Sequence, residues 1–267
     1  MKRCLQQKHI LITREKRQGK EFAEKIRQFE GIPIEVPLLK INCKDYSVNE
    51  QIFNQIDSYQ WIFFTSANGV DCFFHLLKQY GHSKDVLDNK QIAVVGHKTE
   101  KHLKVYGYSA HFIPTIYNAE TMAREFLERF STEGTFLLVR GNRSLNVLPQ
   151  TFNKLNMAYQ SMEVYETVIN MTNKEQLQQT LQTKAIDYVT FTSPSTIDAF
   201  VAMNGLDLIK KLNPRCVVIG TTTEKRAAEV GFKHILVPTE FTIEGMIDVM
   251  LEQEFIERAD TYDELRF

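Results

Sequence analysis

Four short runs combine small hydroxyl, amide and glycine residues just ahead of helical patterns: Thr65-Ser66-Ala67-Asn68, Gly96-His97-Lys98-Thr99, Thr192-Ser193-Pro194-Ser195 and Gly220-Thr221-Thr222-Thr223. Each follows an apolar run of strand character, so each stands where a parallel strand ends and a helix begins. Such a junction leaves backbone N–H groups unpaired and adds the positive end of the helix dipole. The chemistry on offer is anion binding, in which hydroxyls and N–H groups hold carboxylate or phosphate oxygens. Singly, each run is an N-cap, and N-caps mostly serve structure. Together, at the carboxyl ends of strands, they lie where open α/β sheets take their ligands. Two such rims facing each other would form an inter-domain cleft for a molecule with several acidic groups.

Other chemistries lack their residues. There is no G-x-x-x-x-G-K, G-x-G-x-x-G or G-x-S-x-G run, which removes the motifs of nucleoside triphosphate, dinucleotide and serine-hydrolase sites. His97 and His102 are five apart and do not share a helical face as zinc-binding histidine pairs do. A formal net charge of −1 over 267 residues provides no basic field for nucleic acid, so an anionic partner must be held locally. Cys4, Cys43, Cys72 and Cys216 are widely spaced with no C-x-x-C pair; they read as free thiols of a reducing cytosol. No stretch approaches the roughly 20 apolar residues that cross a bilayer, and Ile10–Ile12 is too short for a signal-peptide core.

The elements that would position the turns are strands alternating with helices. Strand character falls at Ile10–Ile12, Trp61–Phe64, Gln91–Val95 and His111–Ile113, with helical spacing at Gly19–Phe29, Val48–Ile56, Val70–Tyr80, Lys98–Tyr106 and Ala119–Phe130. Ile32–Ile41, with two prolines, suits an edge or crossing strand. The alternation predicts an α/β fold with parallel sheets covered by helices on both faces. The charge-rich tail Gln253–Phe267 reads as a solvated, fraying helix extension.

The pattern is then repeated. Phe64-Thr65-Ser66 returns 127 residues later as Phe191-Thr192-Ser193, and Val95-Gly96 with Thr99-Glu100-Lys101 returns after 124 as Ile219-Gly220 with Thr223-Glu224-Lys225. Ile10–Arg14 is answered by Phe136–Arg140, Ile34–Pro37 by Met162–Tyr165, and Phe112-Ile113-Pro114 by Leu236-Val237-Pro238. Matches in one order at a near-constant offset predict a tandem duplication.

The series Thr13-Arg14, Phe64-Thr65-Ser66, Val95-Gly96 with Thr99, Arg140-Gly141, Val164-Tyr165-Glu166-Thr167, Phe191–Ser195 and Gly220-x-Thr222-Thr223 resembles the uroporphyrinogen-III synthase family from about His9 to Met250. The resemblance implies an enzyme that cyclises hydroxymethylbilane to uroporphyrinogen III, with loss of water and inversion of ring D, and no cofactor or metal. It implies two similar parallel-sheet domains with halves exchanged. Residues 1–36 and 169–267 would form one discontinuous domain and 40–164 the other, linked by crossing strands near 34–41 and 162–169. It implies a substrate that is a linear tetrapyrrole with acetate and propionate arms; the cysteine usage points to the cytoplasm, and nothing in the sequence demands more than a monomer. Nucleic acid and membrane are not among the implied partners; transient contact with the enzyme that supplies hydroxymethylbilane is.

Carried over residue by residue, Tyr165 becomes the catalytic residue, a phenol able to donate a hydrogen bond to the departing hydroxyl. Thr13, Arg14, Thr65, Ser66, Asn68, Gly96, Thr99, Arg140, Gly141, Ser193, Pro194, Ser195, Gly220, Thr222 and Thr223 become substrate-binding. Where the family pattern continues to a Gly-Arg pair, this chain has Asn142-Arg143-Ser144-Leu145, which displaces Arg143; where it has Gly-Pro-Thr-Thr, this chain has Gly220-Thr221-Thr222-Thr223. The reading from a different class is a non-catalytic tetrapyrrole or anion sensor, since a fold that binds need not react. A nucleotide-sugar or phosphate-binding enzyme is a third reading, without a phosphate loop.

Overall fold

In β1 (His9–Ile12), Ile10 and Ile12 enter one apolar cluster and Leu11 another; in β4 (Trp61–Phe64), Trp61 and Phe63 part from Ile62 and Phe64 in the same way. Successive side chains of a strand point to opposite faces, so a run that is apolar throughout needs cover on both sides. Helices supply that cover. The computed structural model describes residues 4–264, with side chains described through 257. It is an α/β fold of two compact units, one drawn from Met1–Lys40 and Val168–Phe267, the other from Ile41–Thr167.

The first unit holds a five-stranded sheet in the order β10 (Ile235–Leu236), β9 (Arg215–Val218), β8 (Tyr188–Phe191), β1 and β2 (Ile32–Glu35), every neighbouring pair parallel. On one face, Phe22 and Ile26 of α1 (Lys16–Gln28) pack with Met246 and Met250 of α11 (Ile243–Glu264). The other face is covered by α7 (Lys174–Thr183), α8 (Pro194–Ala202), α9 (Gly205–Leu212) and α10 (Thr221–Glu229) through Leu177, Phe200, Ile209 and Ala227.

The second unit orders its strands β3 (Leu39–Cys43), β7 (Ala158–Ile169), β6 (Thr135–Gly141), β4 and β5 (Gln91–Val94); β7, β6, β4 and β5 run parallel. β3 lies at the edge, antiparallel to β7 by the sense of its flanking bonds: Lys44 N–H to the Val164 carbonyl, Asn170 N–H to the Leu38 carbonyl. Its helices are α2 (Ser47–Asn54), α3 (Ala67–Gln79), α4 (His97–Val105), α5 (Ala119–Arg129) and α6 (Val147–Lys154).

Three expectations are corrected. Cys43 and Cys72 are not free thiols: the end of β3 meets α3 with Cα atoms 5.1 Å apart, and the two form a disulfide. Separation in sequence hid a pairing that the fold makes local. Cys4 and Cys216 are buried and in no disulfide, and burial pushes the Cys216 thiol up from its ordinary value. His111–Ile113 is no full strand but a single bridge from Phe112 to Ala93, because the His111 ring accepts the Ile92 N–H in place of a ladder bond. The tail beginning at Gln253 continues α11, and Glu254 is buried, accepting the Tyr188 hydroxyl at 2.6 Å beside Lys8 at 3.3 Å. Residues 265–267 of that tail lie outside the described residues.

Candidate active site

Within the second unit β4 ends at Phe64, Thr65 follows, and Ser66 caps α3, its Oγ accepting the Gly69 N–H at 3.0 Å. The same Oγ lies 3.0 Å from the Tyr165 hydroxyl on β7. Tyr165 reaches across β6 because Gly141 has no side chain; a Cβ there would occupy the space of the tyrosine ring. The β6–β7 register shifts at this point and sets Gly141 opposite Tyr165. The ring is thus fixed between strands, 8% exposed.

Arg140, one residue earlier, is also only 8% exposed. Its guanidinium donates to the Ser144 carbonyl and to Asn146 Oδ1, while its buried Nε has no hydrogen-bond partner among the described residues. A buried cationic donor without an acceptor is unfavourable, and an acceptor brought by a ligand relieves it. Arg140 lines a cavity of about 420 Å³ with Thr65, Ser66, Tyr117, Arg143 and Tyr165. That is within the roughly 300–1,000 Å³ of small-molecule sites. Gly141 donates its N–H to Ser144 Oγ at 3.1 Å, which shapes the turn after β6. Behind Tyr165, Glu166 holds Lys44 at 2.7 Å, and that hydrogen bond raises the lysine above its ordinary pKa.

The α4 turn differs from the α3 turn in one respect that matters for anions. Ser66 satisfies its helix with its own hydroxyl, whereas Gly96 cannot, and α4 starts with no side-chain cap. Thr99 is buried in its first turn, and Asn68 is half-buried at the start of α3. The first unit has the same pair of designs. Ser193 caps α8, accepting the Thr196 N–H at 3.3 Å and lying 3.0 Å from Ser195 Oγ, with Pro194 as the first helical residue. Gly220 leaves α10 without a side-chain cap, with Thr222 exposed and Thr223 buried.

The strand-end pair Thr13-Arg14 is placed differently. Thr13 is fully buried, and its hydroxyl donates to the Thr190 carbonyl at 2.6 Å, tying β1 to β8 with no open face. Arg14 is half-buried and donates Nε to Gln18; burial draws its pKa down, against the pull of Glu21 and Glu15. The structure therefore brings Thr65, Ser66, Arg140 and Tyr165 to one cavity, with Gly141 packed against the tyrosine ring. It commits Thr13 to the sheet.

Sequence reasoning missed Tyr117, Asn118 and Ser144, all of which line this cavity. For Tyr117 a signal existed: Phe241 stands 124 residues later, the spacing that separates Gly96 from Gly220. Among the described residues no group of three or more His, Cys, Asp or Glu is placed to hold a metal, and no helix is long and apolar enough to cross a membrane.

A sequence profile described as "Uroporphyrinogen-III synthase HemD" matches residues 20–248. The chain is 29% identical over 255 residues to the "Porphyrin biosynthesis protein HemD" of Ruminiclostridium josui, covering 94% of this chain but spanning only 50% of that protein. It is 27% identical over 238 residues to a "Uroporphyrinogen-III synthase" of Chlorobaculum parvum, covering 88% of this chain and 94% of the relative. Among solved structures, a uroporphyrinogen-III synthetase of Helicobacter pylori shares the fold with a TM-score of 0.62 at 16% identity, over 92% of this chain and 99% of that one. A mutant uroporphyrinogen III synthase of Thermus thermophilus does so with 0.56 at 14% identity, over 95% and 99%.

Proposed function

The chain belongs to the uroporphyrinogen-III synthase family, and on that premise we propose that it converts hydroxymethylbilane to uroporphyrinogen III, a cyclising hydro-lyase of tetrapyrrole biosynthesis. The observation that carries the reading is the Tyr165 hydroxyl, 3.0 Å from Ser66 Oγ, on the wall of a cavity that Arg140 and Arg143 also line. A phenol there can donate to the hydroxyl that leaves the substrate's terminal carbon as water. The pyrrole nitrogen lone pair expels it and leaves an azafulvenium cation. Ring D then attacks through its substituted carbon, forms a spiro intermediate, cleaves and recloses inverted, and a proton is lost. Hydrogen-bond donors that hold acidic arms supply the geometry, and geometry separates this product from the isomer that forms spontaneously.

Substrate contacts on this reading are Thr65, Ser66, Asn68, Gly96, Thr99, Arg140 and Gly141 in the second unit. In the first unit they are Arg14, Ser193, Pro194, Ser195, Gly220, Thr222 and Thr223, with Thr13 supporting from within the sheet. We place the reaction in the cytoplasm, with transient delivery from the enzyme that makes hydroxymethylbilane. We also infer a tandem duplication with exchanged halves. In support, β9-β8-β1-β2 in one sheet and β5-β4-β6-β7 in the other follow one order when each strand is matched to its sequence counterpart. Product-isomer analysis tests the function: pure protein given hydroxymethylbilane yields the type III isomer, and a yield of type I alone overturns the reading.

A further inference from the structure

Tyr117 is an exposed aromatic residue in an unusual place. It lies in the loop between α4 and α5, 57% exposed, and its ring lies over Gly96, so that a Cβ on Gly96 would stand 2.9 Å from the tyrosine Cγ. Gly96 has φ 177°, extended backbone open to any residue. The glycine is therefore required by the ring above it and not by its torsion. The His97 ring meets Tyr117 edge-on, with centroids 5.1 Å apart, which fixes the tyrosine plane at the start of α4. The first unit has the same device: Phe241, also 57% exposed, lies over Gly220, whose added Cβ would stand 3.1 Å from the phenylalanine Cγ.

An aromatic ring left open beside a cavity offers its face to a planar ligand ring. Here it borders the cavity into which Ser66, Tyr165 and Arg140 also project, and Arg140 contributes a buried Nε without a partner. Glu120 lines the same cavity, so the charge there is two arginines against one carboxylate. About 420 Å³ suits a single ring with its arms and not four rings. The wall thus pairs a flat apolar face with a guanidinium, the two halves of a pyrrole that bears acidic arms.

We propose that Tyr117 is a substrate-binding residue of the second unit, stacking on one pyrrole ring while Arg140 receives a carboxylate arm of that ring. The proposal rests on the synthase reading and names which groups take a ring and an arm. Pyrroles are electron-rich and stack on aromatic faces irrespective of their substituents, whereas the arm selects for acid. Tyr117 takes no part in the Tyr165–Ser66 hydrogen bond, so on this proposal it acts on substrate capture rather than on the chemical step.

The test uses the intact chain with Tyr117→Leu and Tyr117→Phe. Leucine keeps apolar bulk over Gly96 and removes the aromatic face; phenylalanine restores the face without the hydroxyl. Proton NMR with porphobilinogen, a monopyrrole bearing one acetate and one propionate, reports ring stacking directly through an upfield shift of the pyrrole C–H. In wild type and Tyr117→Phe that shift appears, and in Tyr117→Leu it is lost. With hydroxymethylbilane, Tyr117→Leu raises KM about fivefold with kcat changed less, and phenylalanine rescues it. Wild-type KM in Tyr117→Leu, or a pyrrole shift that survives the leucine, overturns the proposal. Failure of wild-type protein to form the type III isomer would instead strike the synthase reading, since the porphobilinogen shift does not depend on turnover.

Discussion

The Tyr165 ring packs against the backbone of Gly141, with no room for even a methyl group between them. The Arg-Gly pair thus does two things in consecutive residues: Arg140 lines the cavity, and Gly141 admits the ring whose hydroxyl reaches Ser66. Gly141→Ala forces the tyrosine aside. Overpacking of this kind costs about 1–3 kcal/mol, and turnover should fall with it. Urea denaturation with a parallel turnover assay checks this; a stable, fully active variant would show that the ring position is dispensable.

Tyr165→Phe keeps the ring and removes only the hydroxyl, so the packing against Gly141 survives. A single hydrogen bond of this kind contributes about 1 kcal/mol, roughly fivefold in rate. We expect kcat to fall by at least that factor with the melting temperature nearly unchanged. Steady-state kinetics on protein shown to be folded decide it, and wild-type kcat would return Tyr165 to a structural role.

Ser193 and Thr222 should separate. Ser193 caps α8 while Thr222 is exposed beside an uncapped helix start. Ser193→Ala therefore loses about 1 kcal/mol of stability together with part of its activity. Thr222→Ala loses part of its activity alone. Thermal melts and kcat/KM for both variants and the double variant test this, and complete inactivation by either one would argue against a site that works by positioning.

The Cys43–Cys72 disulfide closes a loop with a sequence separation of 29 residues, from the end of β3 to α3. By chain entropy, such a loop stabilises the fold by about 3–4 kcal/mol. Cys72→Ser should lower the urea midpoint, and dithiothreitol should lower the wild type to the same value while leaving the variant unaffected. A reducing compartment favours the thiols, so free-thiol labelling of protein taken directly from cells reports which form operates there.

Glu125 is held below the usual carboxylate pKa, first by the Thr115 hydroxyl and backbone N–H, then by Arg129 and Arg124. A depressed carboxylate binds fewer protons folded than unfolded, so its contribution is present above the ordinary carboxylate pKa and is lost as pH falls through the depressed one. Glu125→Gln should be less stable than wild type at neutral pH, with the gap narrowing by about pH 3. Urea midpoints at the two pH values measure it; a gap independent of pH would assign the loss to packing.

What could be read from the residues alone was what local pattern governs. Ile10–Ile12 and Trp61–Phe64 are apolar at every position because each strand serves two cores, and that signature marks a covered sheet without any knowledge of its neighbours. Ser66 and Ser193 announced themselves as caps by preceding helical spacing. Long-range partners left no local trace. Nothing near Cys43 indicates Cys72, nothing near Glu254 indicates the Tyr188 hydroxyl, and nothing near Gly96 shows that Tyr117 covers it. Thr13 is a further case: nothing near it in the sequence indicates that its strand-end hydroxyl donates to the Thr190 carbonyl.

The division of the chain also sets a timetable for its synthesis. Ile41–Thr167 is continuous, so the second unit has all its strands from β4 to β7 once its own residues have left the ribosome. The first unit is interrupted. β1 pairs with β2 at once but must wait for Tyr188–Phe191 before its other edge is filled, and β8 must wait in turn for β9. A nascent β1 therefore presents Ile10, Leu11 and Ile12 with half their partners missing while more than a hundred residues are added. Early strands held open this long are targets for chaperones and for mispairing. In this chain the segment most exposed to that hazard is β1, which is translated ahead of both strands it pairs with.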